Sequence, residues 1–429
     1  MPISAPTTPR VFTLKRESAS LKALGLTAGL TAMDLGDSPE QAEFRAKARA
    51  WLERNKPRNI TDRGFALAID DETVKALTAW QRQLYDAGYL GISWPVEYGG
   101  QGKTIIEGAI FNEEVARVRA PAPLNELGLS MGGPTILEHG TEEQKHRYVK
   151  KILTCEEIWC QGFSEPQSGS DLAALQTRAA VDGDHFVVNG QKVWTSIGHL
   201  ADWCMLLVRT DPNAAKHKGI SYLLVDMHSP GITVQPLRQL TGEAEFNQMF
   251  FEDVRVPREN LLGPLNGGWG VALTTLMNER ATLSLAIVMR FQNTFQDLAE
   301  LARRVVRDGS CRLEPQLIRD TLAQFYIDVE SMKYLAYRNF SRLQRGGSPG
   351  PEGSISKLLW SELNQRMHEF AMVLEGPRAA LTEGAANVID GGRWQYGLLR
   401  SRGNTIEEGT SEVQRSIIAE RLLGLPKGY

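Results

Sequence analysis

A double switch in hydrophobic period constrains this chain more than any other feature. From Ser38 to about Ile152 the apolar residues recur at helical spacing, as in Phe44, Ala48, Trp51 and Leu52. From about Thr177 to Phe251 the pattern becomes short β-rich runs broken by turn residues. After Gly263 the helical period returns and lasts to the end, over 273–296, 316–344, 354–374 and 410–422. An order of helices, then strands, then helices leaves no room for a βαβ sheet. No repeat of fixed period is present. The expected fold class is therefore α+β, multi-domain and mainly α. Its expected divisions are a helical domain over 33–155, a middle β-domain over 156–262 and a helical region over 263–429.

Boundaries carry their own signals. Ser38-Pro39-Glu40-Gln41 has the form of a capping box with Pro at the first helical position. Residues 182–184 (DGD) predict a hairpin between 177–181 and 185–188, and Asn189-Gly190 predicts another turn before 192–195. Residues 346–353 (GGSPGPEG) mark a break between helices. The first 32 residues are basic, acid-poor and rich in Ser, Thr, Ala and Pro. They are read as a disordered extension ahead of Met33, with a mitochondrial transit peptide as the alternative.

Composition excludes several function classes. The 429 residues carry 48 Lys+Arg against 51 Asp+Glu, a net charge of -3, which gives no basic face for nucleic acid. No apolar run approaches the ~18 residues of a membrane span. The four cysteines, at 155, 160, 204 and 311, form no C-x-x-C pair and are expected as reduced thiols. Scattered histidines, with His368-Glu369 lacking a second His, predict no metal site. Residues 100–104 (GQGKT) end like a P-loop, but Glu97 stands where its first Gly belongs. A strict G-x-G-x-x-G after a strand is absent, which removes a Rossmann site. Residues 162–166 (GFSEP) lack the last Gly of a nucleophile elbow.

Three segments carry chemistry. Residues 159–171 (WCQGFSEPQSGSD) form a loop of Gly, Ser and Pro whose backbone N–H groups can approach a flat polar ligand. Residues 187–196 (VVNGQKVWTS) set Trp194 beside the hydroxyls of Thr195 and Ser196, a stacking face with donors. Residues 405–415 (TIEEGTSEVQR) place two acids, Glu407 and Glu408, ahead of a helix start.

In this order the three segments resemble those of the acyl-CoA dehydrogenase family of flavoproteins, over about Met33 to the C-terminus. The resemblance implies N-terminal helices, a middle β-barrel or sheet domain and a C-terminal four-helix bundle. It implies FAD, lined by Gln161, Gly162, Phe163, Ser164 and Ser170, covered by Trp194, Thr195 and Ser196, and touched by Thr410 and Glu412. It implies α,β-desaturation of an acyl-CoA, with a Glu base taking the α-proton and hydride passing to flavin N5. Electrons would pass to an electron-transfer flavoprotein, in fatty acid or other lipid β-oxidation. The base must be desolvated and the forming enolate hydrogen-bonded, because a thioester α-proton is weakly acidic. Glu408 stands in the family's E-G-T-S slot for that base. Glu279 stands where a branch of the family carries its base instead. Ser170, Asn278, Arg280 and Gly409 would meet the substrate.

Departures from the family's pattern matter as well. Glu407 replaces a frequent aromatic, and adjacent carboxylates can raise each other's pKa, or Glu407 can narrow the acyl pocket. Val373 and Pro377 replace the Gln and second Gly of a segment that normally meets the neighbouring subunit's flavin. Gln316, and less directly Arg307, remain to reach that flavin. The expected assembly is a homotetramer or dimer, with a heterotetramer of related subunits left open. Two rival functions follow: a flavin oxidase or monooxygenase on the same fold, and a non-catalytic partner subunit. Small residues at 129–133 and 281–285 hint at room for the acyl group. The expected compartment is the cytoplasm, or the mitochondrial matrix if residues 1–32 are a transit peptide.

Overall fold

In the computed structural model the described residues are 37–58, 60, 70–307, 309, 313–344 and 350–427. Inside the helices, the side chains of 279–285, 340 and 343–344 are outside them. The readings made of residues 1–32, of Cys311 and of most of the 346–353 break therefore lie outside the described residues. From Pro39 onward the chain forms one unit.

Five helices open it: α1 (Pro39–Asn55), α2 (Asp71–Asp86), α3 (Ile105–Arg117), α4 (Gly133–His139) and α5 (Glu142–Thr154). Local chemistry sets their starts. Asp70 accepts from the Thr73 N–H at 2.7 Å ahead of α2. Thr141 and Gln144 exchange bonds of 3.3 and 3.1 Å ahead of α5, a capping box. Apolar faces meet around Leu52, Trp80, Leu84 and Leu153, with Trp51 stacked on Trp80 at 5.6 Å. Glu114 is fully buried on α3, and Arg45 and Arg49 satisfy it from α1 at 2.7–3.0 Å.

Eight strands follow: β1 (Trp159–Gly162), β2 (Arg178–Asp182), β3 (His185–Ser196), β4 (Trp203–Arg209), β5 (Ile220–Asp226), β6 (Ile232–Leu237), β7 (Phe246–Pro257) and β8 (Leu261–Leu262). They form one sheet in the order β6-β7-β3-β2-β4-β5-β8, with β1 parallel to β4. The expected turn at Asn189-Gly190 does not form. β3 runs through it, and the register against β7 shifts between Val188 and Gly190. A Cβ on Gly190 would lie 2.5 Å from Thr177 Oγ1, so this glycine permits a close strand crossing.

The C-terminal helices are α6 (Gly268–Arg307), α7 (Pro315–Gln344), α8 (Gly353–Glu375), α9 (Arg393–Asn404) and α10 (Ser411–Ile417). Phe291, Leu298, Leu301, Trp360, Leu363, Met367 and Trp394 form their common core. The helix expected over 410–422 is α10 followed by a π-turn over Ile418–Leu422. Elements that went unread include α4, α9, whose apolar residues are few, β8, and the π-turn over Gly128–Gly132. The first part of the expected 159–171 loop, Trp159–Gly162, is strand β1 because it pairs with β4. The architecture is α+β, helical at both ends with a sheet between. Among the described residues no helix is long and apolar enough to cross a membrane. Cys155, Cys160 and Cys204 are free thiols.

Candidate active site

The turn between α9 and α10 carries Glu408, and its backbone is unusual. Glu408 has φ +56 and Gly409 φ +89, two left-handed residues in succession. For a glutamate that conformation is strained, and such strain persists where surrounding bonds over-determine it. Those bonds are present. The buried Lys357 on α8 donates to Asn404 O at 2.7 Å and to Gly409 O at 2.9 Å. The buried Gln414 on α10 donates to Glu408 O at 2.9 Å and Gly409 O at 3.1 Å. Gln365 reaches Thr405 Oγ1 at 3.0 Å, and Asn364 reaches Asn404 Oδ1 at 2.7 Å. A Cβ on Gly409 would stand 2.7 Å from Gln414 Nε2, so the turn requires glycine there. Thr410 then caps α10, accepting from the Val413 N–H at 3.2 Å.

The two adjacent acids have different fates. Glu407 pairs with Arg400 at 3.1 and 3.3 Å and accepts from Asn404 Nδ2 at 2.5 Å. Glu408 is half-buried on its strained backbone. The concern that two free carboxylates would meet is answered by that pairing.

The sheet supplies the second half of the site. Lys192 of β3 is fully buried, donating to Phe163 O at 3.0 Å and Glu165 Oε1 at 2.8 Å. Burial alone would raise the Glu165 pKa, but the Lys192 ammonium and the Gln176 and Thr177 donors hold it below the usual carboxylate range. The Val193 N–H donates to Ser164 O at 2.9 Å. That bond lays Ser164 against Val193, one residue before Trp194. Trp194 has φ +61, and its indole is 60% exposed, edge-on to Phe246 at 6.1 Å. Beside it, Thr195 is buried and its Oγ1 has no hydrogen-bond partner among the described residues. A bare aromatic face next to an unused buried hydroxyl suits a flat, polar ring system, which is what a flavin is.

The remaining site readings separate. Gly162 is buried, and a Cβ there would lie 2.8 Å from Leu206 Cδ1 and 2.9 Å from Cys204 Sγ. The Phe163 ring packs into the core against Tyr222 at 5.8 Å, and its carbonyl accepts from Lys192. Ser170 and Glu412 are exposed, and Ser196 is half-buried opposite Phe246. Thr410 and Glu412 line a cleft of about 410 Å³ with Gln365, Ile406, Ser411 and Arg415. Ser411 Oγ is buried there, with no partner among the described residues. The Glu412 carboxyl is held below its usual range by its own N–H and the Thr410 hydroxyl. Gln316 is exposed at the start of α7 and bonds Asp320 at 2.7 Å within its own helix. Arg307 is exposed at the end of α6. Asn278 is half-buried on α6, whereas the side chains of Glu279 and Arg280 are outside the described residues.

The hint of space at 129–133 is corrected. Gly132 faces Trp159 and Met205, and a Cβ on Gly133 would stand 2.1 Å from Trp94, so these glycines serve packing. The matching hint at 281–285 lies outside the described side chains.

Sequence reasoning missed Lys357, Arg400, Phe246 and Gln414. Lys357 left a signal: it stands on the buried stripe of α8, in phase with Trp360, Asn364, Met367 and Ala371. The other three left none: Gln414 and Arg400 bond Glu408, Gly409 and Glu407 only once the turn between α9 and α10 has formed, and Phe246 meets Trp194 and Arg400 from distant segments.

Domain models of acyl-CoA dehydrogenases match the chain in three parts: the N-terminal domain at 38–156, the middle domain at 160–254 and the C-terminal domain at 266–423. Acyl-CoA dehydrogenase IpdE1 of Mycolicibacterium smegmatis is 38% identical over 400 residues, 90% of this chain and 98% of that one. The solved structure of a Tcur3481-Tcur3483 steroid ACAD superposes with a TM-score of 0.80 at 30% identity, covering 92% of this chain and 100% of that one. The ChsE4-ChsE5 complex of Mycobacterium tuberculosis superposes with a TM-score of 0.77 at 31% identity, covering 92% and 100%.

Proposed function

The chain belongs to the acyl-CoA dehydrogenase family of FAD-dependent enzymes, and from that premise we propose that it desaturates an acyl-CoA thioester between Cα and Cβ, with Glu408 as the base. The single observation that carries this reading is the left-handed Glu408, held by Lys357 and Gln414. A glutamate is kept in that conformation where its carboxylate must stand at one place. Glu279 is the alternative base.

Each residue then has a task. Glu408 takes the α-proton, and its own N–H donates to the thioester oxygen as negative charge gathers there. Trp194 offers a stacking face to the isoalloxazine, and Thr195 and Ser196 offer hydroxyls beside it. Gln161 to Ser164, Ser170, Thr410 and Glu412 hold the rest of the cofactor. When bound, FAD supplies the acceptor for the hydride leaving Cβ. Ser170, Asn278, Arg280 and Gly409 meet the CoA and acyl portions, and Gln316 reaches the cofactor of a neighbouring subunit. An electron-transfer flavoprotein reoxidises the enzyme. A bulky, ring-bearing acyl group is the favoured substrate class, supported by likeness to a steroid ACAD at a TM-score of 0.80.

A second reading concerns assembly. Val373 and Pro377 replace flavin-contacting residues of the family's pattern, and one structural relative is the ChsE4-ChsE5 complex. In that reading this chain carries the base, and a related subunit completes the cofactor site.

Anaerobic titration of the purified protein with straight-chain, branched, aromatic and steroid side-chain acyl-CoA esters, followed by flavin absorbance, tests the function. Bleaching by one class supports dehydrogenation and names the substrate. A yellow protein that no ester bleaches, and that forms peroxide in air, sinks it in favour of an oxidase. A colourless protein that gains flavin only with a second subunit supports the mixed assembly.

A further inference from the structure

Arg400 lies on α9, two turns before Glu408, and its surroundings are unlike those of a surface arginine. Its side chain is 12% exposed. One end of the guanidinium pairs with Glu407 at 3.1 and 3.3 Å. Its Cζ lies 5.8 Å from the Phe246 ring, the ring that meets Trp194 edge-on at 6.1 Å. One turn earlier, Tyr396 donates from its hydroxyl to Glu243 in the 238–245 loop between β6 and β7. Glu245 in that loop adds a second, buried acid near Arg400. A chain of contacts thus runs from Trp194 through Phe246 and Arg400 to Glu407, the neighbour of the proposed base.

We propose that Arg400 is a positioning residue for the desaturation: it ties up the Glu407 carboxylate, so that Glu408 alone serves as base, and it fastens the base turn to the aromatic face at Trp194. This rests on the dehydrogenase reading with Glu408 as base. The physical reason is charge. Without Arg400, Glu407 is a free carboxylate one residue from Glu408, and two such acids cannot both ionise easily in a half-buried turn. Other charged groups placed around the turn are Lys357 from α8, Glu362 on the same helix, Glu243 and Glu245 from the β6–β7 loop, and Glu412 and Arg415 from α10. Among the described residues, the groups bonded to Glu407 are Arg400 and the neutral Asn404.

The test compares the parent, R400Q and R400Q/E407Q as full-length, flavin-loaded proteins. The first readout is the pH profile of single-turnover flavin bleaching by an acyl-CoA. In R400Q its acid limb should move up by about one pH unit, because a second carboxylate now opposes ionisation of Glu408. In R400Q/E407Q, where that carboxylate is gone, the limb should return to the parent position. A limb unmoved in R400Q, or unrestored in the double variant, overturns the proposal, since a merely structural role would slow both variants alike. The second readout needs no turnover. In R400Q an ionised Glu407 would sit half-buried without its cation, so the folded state loses stability as that carboxylate ionises. The Tm deficit of R400Q against the parent should therefore be larger at pH 8 than at pH 5, and the double variant should lose this pH dependence.

Parallel Tm curves overturn the pairing whatever the reaction. If no acyl-CoA bleaches the parent, the dehydrogenase reading fails, and a pH-dependent Tm deficit then leaves Arg400 as a loop fastener only. Should R400Q not fold, R400K keeps the charge and loses the two-pronged contact. It should move the limb by about half as much, reversed again by E407Q, and an unmoved limb in R400K overturns the proposal.

Discussion

The ammonium of Lys357 donates to the carbonyl of Gly409 at 2.9 Å and to that of Asn404 at 2.7 Å, so one buried cation on α8 closes the turn that carries Glu408. Replacing it by Met keeps the volume and removes both bonds. The buried Asn404 carbonyl is then left without that donor, at about 1–3 kcal/mol, while Gly409 O keeps its bond from Gln414. K357M should lower the Tm and reduce the rate of flavin bleaching by about 100-fold, because a small displacement of a base costs that much. K357M with an unchanged bleaching rate would show that the turn holds its shape without the cation.

The choice between two bases is decided by paired amide variants. Glu408→Gln keeps the backbone strain and the contacts to Gln414, and removes only the proton acceptor. It should stay yellow, bind acyl-CoA and lose about 100- to 10,000-fold in flavin bleaching, the range of a lost general base. Glu279→Gln should retain most of its rate. The reverse result would move the base to α6.

Trp194 carries a 60% exposed indole on a backbone of φ +61, an arrangement with no folding advantage of its own. Trp194→Ala should therefore leave the Tm of the flavin-free protein nearly unchanged. It should weaken FAD retention, read as a colourless fraction on gel filtration and a smaller FAD-dependent rise in Tm. Full retention of flavin would remove Trp194 from the cofactor site.

Much of this was legible in the sequence, for identifiable reasons. Helices α2 and α5 were legible because their apolar residues recur at helical spacing, a pattern set by which face is buried. The strands were visible as short β-rich runs broken by turn residues, 185–188 and 192–195 within β3. The Asn189-Gly190 turn failed because its dipeptide signal was outweighed by the β3–β7 ladder, where Gly190 admits Thr177. At the site, contiguous segments such as 159–171 and 405–415 could be read as units. Arg400 on Phe246 could not, since 154 positions separate the two and only folding brings them together.

Glu375 offers a test of the segment that departs from the family's pattern. It is 1% exposed at the end of α8, with Gln395 Nε2 at 2.5 Å from one oxygen and no partner among the described residues on the other. Burial pushes its pKa up to about 7. The unfolded value is near 4.5, so the folded state binds the proton more tightly. Stability from this group is then complete below about pH 4.5 and is lost as pH rises through about 7. Glu375→Gln keeps the acceptor for Gln395 and cannot ionise. Relative to the parent, its Tm should gain steadily between pH 5 and pH 8, by a few degrees at the upper end. The two curves should converge toward pH 4.5, where the parent carboxyl is already neutral. Parallel curves across that window would mean that Glu375 stays charged, with a counter-charge from a neighbouring subunit meeting the Val373–Pro377 segment.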